Sequence, residues 1–257
     1  MRSINSATLT FGLVSIPVKM FTAASSEGVS FNRMTALGNR VKQTLHDSVT
    51  DAVVEQKDCN SGYEYAKDQY VVFTGDELKS LETEKSKTMD IREFVDAASV
   101  DLVQVEKSYY LGPDKGGDKG YQLLASTMKA MGKVAVAQWN GRGKEQLVVI
   151  RPFRDGLVLH QMYYANEVRN FDEVEVAKLA IADAERDMAG KLIQMLSTGP
   201  FDPAKYEDGH VKRVKAAVER KIAGLGPEAV EATPAPKATV VDLLARLQAS
   251  IDAVSKK

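Results

Sequence analysis

Residues 133–164, KVAVAQWNGRGKEQLVVIRPFRDGLVLHQMYY, decide the fold. Three apolar-rich runs, 133–140, 145–151 and 157–164, are separated by Gly141-Arg142-Gly143 and by Arg154-Asp155-Gly156. Both separators are short and rich in turn formers, so they read as hairpin connections. Three strands joined this way make a meander. Upstream, Ala7, Leu9 and Phe11 alternate with polar neighbours, and Val14, Ile16, Val18 and Met20 do so again. Pro17 falls on the opposite face, which suits an edge or a rim. Val29 and Phe31 begin another extended piece, and 41–45, 69–73, 89–95 and 102–111 are further strand candidates. This many short strands around a meander predict a closed or nearly closed barrel.

Helices punctuate that pattern. Thr74 followed by Glu77 is a capping box for a short helix over 75–81. Over 117–131, Tyr121, Leu124, Met128 and Met131 share one face, and Gly132 ends the segment. Downstream the period changes. Val174, Ala177, Ile181, Ala184, Met188, Leu192 and Met195 predict one long amphipathic helix, broken at Phe201-Asp202-Pro203. Val211, Val214, Val218 and Ile222 predict another. Residues 224–238 have the composition of a linker. A last helix follows, capped by Thr239 with Asp242 and striped by Val241, Leu244, Leu247, Ile251 and Val254. About 15 residues is marginal for an isolated helix, so the stripe either binds a partner or folds back on the body.

Composition limits the function. The 257 residues are 44% apolar and 27% charged, ordinary for a globular chain and too apolar for disorder throughout. The size suits one large domain or two small ones. No run of eighteen apolar residues exists, and the N-terminus reads as amphipathic strands, not a signal peptide. The single Cys59 cannot form an internal disulfide, which favours an intracellular setting. His46, His160 and His210 are scattered, so no metal spacing is present. The segment 112–120, GPDKGGDKG, has the glycine spacing of a P-loop, but Asp118 stands where Lys is needed. The segment reads instead as a loop and helix start whose N-terminus, beside Lys115 and Lys119, could face a phosphate backbone. No nucleophile elbow appears. These readings point away from catalysis, metals and cofactors.

Net charge is −1, unlike a strongly basic nucleic-acid binder. Its distribution is uneven. Residues 1–46 carry five basic side chains and one acid, 47–110 carry seven and fifteen, and 111–160 carry eight and four. Two basic segments flank an acidic one, the pattern of a molecule with one face for an anionic polymer.

Several stretches then resemble one family in order: TFGLVSIPVKMF, GYEYAKDQYVVFTGDEL, SYYLGPDKGGDKGYQLL, GRGKEQLVVIRP, LVLHQMYYANEVR and FDPAKY. The chain resembles the prokaryotic (bacterial or phage) Ku family, DNA end-binding proteins of non-homologous end joining. The resemblance implies a mainly β fold with a Ku-type barrel, a long strand-rich bridge arm and C-terminal helices, assembled as a ring-shaped homodimer. It places the core at 1–170 with the bridge at about 27–66. The GYEY segment re-enters the barrel, and a helical region spans 171–223. The linker at 224–238 and the tail helix at 239–257 follow. Two extended arms of about 15 residues each reach about 50 Å, enough to wrap a duplex whose major groove is about 12 Å wide.

A ring needs a basic lining, not a basic molecule. Lys19, Arg33, Arg40, Lys42, Lys115, Arg142 and Lys144 are the candidate phosphate contacts. Such contacts fix position without reading sequence. The tail VVDLLARLQASIDAVSKK resembles the segment that recruits an ATP-dependent DNA ligase, with Val241, Leu244 and Leu247 as anchors and Arg246 at the rim. The expected function is sequence-independent binding of double-stranded DNA ends, end protection and ligase recruitment. No catalysis and no cofactor is implied. The expected setting is cytoplasmic and nucleoid-associated, or the host cytoplasm for a phage protein. A metal-dependent nuclease or other DNA-processing enzyme is the alternative, and a protein–protein adaptor working through the tail alone is a third.

Overall fold

The computed structural model describes residues 1–25, 28–81, 87–141, 143–225 and 243–255, with 243–245 described by backbone alone. The described residues fall into two compact units, 1–25 with 32–170, and 28–31 with 171–255.

The chain opens with a hairpin, β1 (Asn5–Phe11) and β2 (Val14–Thr22). It then makes an excursion of two small antiparallel ribbons, β3 (Leu45–His46) with β4 (Val53–Val54), and β5 (Ser61–Ala66) with β6 (Gln69–Phe73). Helix α1 (Gly75–Leu81) follows. Five longer strands come next: β7 (Thr88–Asp96), β8 (Val105–Pro113), β9 (Lys133–Gly141), β10 (Lys144–Phe153) and β11 (Gly156–Met162). Helix α2 (Asp118–Met131) joins β8 to β9.

Seven of these strands close into a barrel in the order β1-β2-β8-β11-β10-β9-β7. Neighbours are antiparallel except β1 and β7, whose parallel pairing closes the sheet. The meander β9-β10-β11 lies where the sequence places it, with Gly141 opposite Lys144 and Phe153 opposite Gly156. Pro17 sits where the β2–β8 ladder has ended, since that pairing begins at Val18. Its missing N–H therefore costs nothing there, and its carbonyl accepts from Asp114 N–H at 3.0 Å.

The period-2 alternation fills the barrel. Leu9, Ile16, Val18, Met20, Met89, Ala135, Ala137, Val148, Ile150 and Leu159 are all buried in one core. Helix α2 closes one end of the barrel with Tyr121, Leu124, Ala125 and Met128. The Tyr121 hydroxyl donates to the Leu111 carbonyl at 2.6 Å and accepts from Leu157 N–H at 2.8 Å. One phenol thus fastens α2 to two strands. Met131, placed on this face by the 3.6-residue period, is exposed. Gly132, at φ +64°, ends the helix. A smaller apolar cluster, Val134, Val149 and Met162, covers the outer face of the meander.

In the excursion, the α1 capping box forms as expected. Thr74 N–H donates to Glu77 at 2.7 Å, and Glu77 N–H donates to the Thr74 hydroxyl at 3.3 Å. The GYEY segment is not a strand of the barrel. It is one side of the β5–β6 hairpin, whose turn has Asp68 at φ +60° with its N–H on Glu64. The excursion therefore runs past residue 66, and β7 is the strand that re-enters.

The second unit carries α3 (Asp183–Leu196), α4 (Gly209–Ile222) and α5 (Leu243–Ser255). The helix predicted from Val174 onward begins only at Asp183. Glu185 accepts from Ala182 N–H at 2.9 Å and fixes that start. Val174, Val176, Leu179 and Ile181 precede it, non-helical and exposed. Helix α5 packs along α3. Leu247, Ile251 and Val254 on α5 and Met188, Ala189 and Leu192 on α3 are the half-buried apolar residues of the two helices. The described part of the tail stripe therefore meets α3 of its own unit. The linker from 226 onward, Thr239, Val241 and Asp242 lie outside the described residues.

Candidate nucleic-acid interface

The candidate cations fall into separate groups. Lys19 points outward from β2 and pairs with Asp114 at 3.0 Å. Lys115, exposed in the β8–α2 loop, donates its backbone N–H to the same carboxylate at 2.8 Å. That N–H, then Lys19, holds the Asp114 carboxyl below its ordinary value. Asp114 thus offsets part of the Lys19 charge, while Lys115 meets the same carboxylate through its backbone.

Arg33, Arg40 and Lys42 come together on the excursion. Val41 N–H donates to the Arg33 carbonyl at 3.0 Å, Met34 bridges Arg40, and Gly38 makes the turn at φ +81°. The Arg40 guanidinium donates to Asn32 at 2.6 Å. All three cations are exposed. Lys144 is exposed at the start of β10, beside the β9–β10 turn. That turn is at the barrel end opposite α2, so the structure does not bring Lys144 together with Lys115. Arg142 lies outside the described residues.

A further pair emerges from the geometry. Arg151 and Arg154 flank the Phe153 ring, their guanidinium carbons 5.5 and 5.4 Å from its centroid. Tyr110 stacks on the same ring at 5.8 Å. Arg151 Nε–H donates to His160 Nε2 at 2.8 Å, which leaves the His160 Nδ1–H for the Ser108 hydroxyl, also at 2.8 Å. Burial first, then the Arg151 charge, pushes the His160 pKa below its ordinary value. A neutral imidazole therefore orients a guanidinium on the outer barrel face. Neither arginine joins an ion pair among the described residues. Stacked, orientable guanidinium groups suit phosphate oxygens. The signal was present in the sequence as Arg151-Pro152-Phe153-Arg154, where strand alternation puts Arg151 and Phe153 on one face.

In the tail, Arg246 is exposed and Leu247 is half-buried on α5. Leu244 belongs to the same helix by its backbone. Among the described residues no three His, Cys, Asp or Glu side chains gather in a geometry for a metal ion. Also among them, no helix is long and apolar enough to cross a membrane.

Residues 10–188 match the family model described as Ku70/Ku80 beta-barrel domain. A "Non-homologous end joining protein Ku" of Paraburkholderia phymatum is 41% identical over 254 residues, covering 97% of this chain and 82% of the relative. Its namesake in Koribacter versatilis is 40% identical, with 98% and 86% covered. That of Lachnoclostridium phytofermentans is 33% identical, with 97% and 96% covered.

Proposed function

The chain belongs to the Ku family, and from that premise we propose that it binds the ends of double-stranded DNA in non-homologous end joining. Binding is independent of sequence. Two copies form a ring that threads onto a free end, protects it and delivers it to an ATP-dependent DNA ligase. The protein itself needs no cofactor and performs no catalysis. It acts in the cytoplasm, at the nucleoid.

The excursion carries this reading. Phe31, Leu37, Val49, Val53, Tyr63 and Tyr65 are all exposed there. No residue described between 28 and 81 is fully buried. Two-stranded ribbons without a core are marginal in water, and exposed apolar surface on this scale marks an interaction site. A second copy offering the same arm supplies a self-complementary partner. Arg33, Arg40 and Lys42 then sit on the arm that crosses the duplex. The Arg151–Phe153–Arg154 group offers backbone contacts from the barrel. The ligase is recruited through the exposed side of α5, with Arg246 as a contact, because its apolar stripe is engaged by α3.

The experiment is a gel shift with one DNA sequence in two forms, linear and covalently closed. Strong binding to the linear form with little to the circle is expected. Equal binding to both would leave an open basic groove in place of a ring. Incubation of both DNAs with magnesium or manganese in the same series should leave them intact, whereas metal-dependent cutting would favour the nuclease alternative.

A further inference from the structure

The barrel end opposite α2 is open and polar. Along β1, β8, β10 and β11 the inward-facing positions are apolar through the core and then change character in the last layer. Asn5, Lys107, Gln146 and Gln161 occupy it. With Tyr109 and Trp139 they line a cavity of about 310 Å³. That volume lies at the lower end of small-molecule sites, and barrel mouths are a recurrent place for them.

Inward polar groups at a barrel mouth call for partners, and these have them only in part. Gln161 donates to Glu106 at 2.6 Å, and the Asn5 amide oxygen accepts from Ser6 N–H at 3.0 Å. The Gln146 amide oxygen is buried with no hydrogen-bond partner. Leaving such an atom unpaired costs about 1–3 kcal/mol. A leucine there would remove the cost, so the fold alone does not account for the amide. The aromatic side of the cavity is also held in place. The Trp139 indole lies over Gly141, where a Cβ would meet the ring at 2.8 Å. Lys107, with a side chain 59% exposed, is the cation of this lining, and Glu106 at 3.0 Å offsets part of its charge.

We propose that this barrel mouth binds a single nucleotide unit, its base against Trp139 and Tyr109, its edge on Gln146 and its phosphate at Lys107. A base edge presents a donor beside an acceptor, which satisfies a carboxamide in either orientation. A flat π-system suits the aromatic wall, and a phosphate suits an ammonium at the rim. The unit is either a free mononucleotide or the unpaired terminal residue of a strand. The site stands whether or not the chain threads onto duplex ends.

Trp139 is the only tryptophan in the chain, so fluorescence reports on this cavity directly. Full-length protein is titrated with dAMP, deoxyadenosine and inorganic phosphate. A saturable change with dAMP at a Kd below about 1 mM is expected. Gln146→Leu should weaken it about tenfold, the loss of one buried hydrogen bond, while raising the melting temperature of the free protein. Lys107→Gln, at the exposed rim, should weaken dAMP and leave deoxyadenosine unchanged. Duplexes with and without one unpaired terminal nucleotide separate the two sources. A Trp139 response to the overhang and none to the blunt end identifies the strand terminus, and a response to dAMP alone identifies the free nucleotide. No response to any of these while blunt duplex still shifts in a gel would overturn the pocket and leave end binding standing. A dAMP response unchanged in both variants would also overturn it.

Discussion

The Arg154 guanidinium lies against the Phe153 ring on the barrel's outer face, so its removal tests the barrel's share of phosphate binding. Arg154→Ala should weaken duplex binding about two- to tenfold and make the log–log salt slope shallower by about 0.9 for each phosphate left without its cation. Fluorescence anisotropy across a salt series measures both. His160 makes a different prediction. Its folded pKa lies below the ordinary value of 6.5 because burial and Arg151 disfavour the charged ring. As pH falls below 6.5, the unfolded chain takes up a proton that the folded chain refuses. Stability is therefore present above that pH and lost as pH drops toward the folded pKa. The melting temperature should fall from pH 7 to pH 5, and His160→Gln, which keeps an acceptor for Arg151, should flatten that fall. A variant with the slope of the parent would show that another group is responsible. Single residues were unevenly legible in the sequence. Segment charge pointed to Arg33, Arg40 and Lys42, which do cluster. It could not show that Asp114 offsets Lys19, nor that Gln146 faces inward without a partner. Those facts depend on which strands become neighbours.

Element boundaries were most legible where side-chain period and turn chemistry agreed. The β9-β10-β11 meander and α1 follow their turns and cap to within a few residues. The stretch 174–182 shows the opposite. Val174, Ala177 and Ile181 have helical spacing, yet β-branched residues gain little from a helix and no surface of their own unit covers them. The helix waits for the Glu185 cap. The GYEY hairpin was missed because a strand's alternation does not say which sheet it joins. Its own turn at Asp68 pairs it locally. For α2, Tyr121→Phe removes the hydroxyl that holds Leu111 and Leu157 and leaves both backbone groups short of a partner. A loss of about 1–3 kcal/mol is expected in urea unfolding. In the tail, Arg246→Glu should lower stimulation of the ligase while leaving DNA affinity unchanged. Leu247→Asp should instead separate α5 from α3, seen as faster hydrogen exchange along α5. If Arg246→Glu leaves stimulation intact, recruitment does not use this face.

For the whole molecule, a net charge of −1 conceals a division of labour. Arg33, Arg40 and Lys42 collect at the start of the arm, and acidic residues of the 47–110 segment follow them along it. With about four phosphate contacts from each of two subunits, the log–log salt slope should be near −7. A slope near −2 would mean that most of the candidate cations face solvent. Affinity of this kind is lost in high salt, but a threaded ring has a second hold that salt cannot break. Topology therefore separates a ring from a groove more directly than affinity does. The measurement is to bind the protein to a linear duplex, join the ends into a closed circle, raise the salt, and ask what stays on the DNA. The protein should remain on the circle at a salt concentration that strips it from linear DNA, and it should leave once the circle is cut. Release from circle and linear DNA at the same salt concentration would contradict the ring.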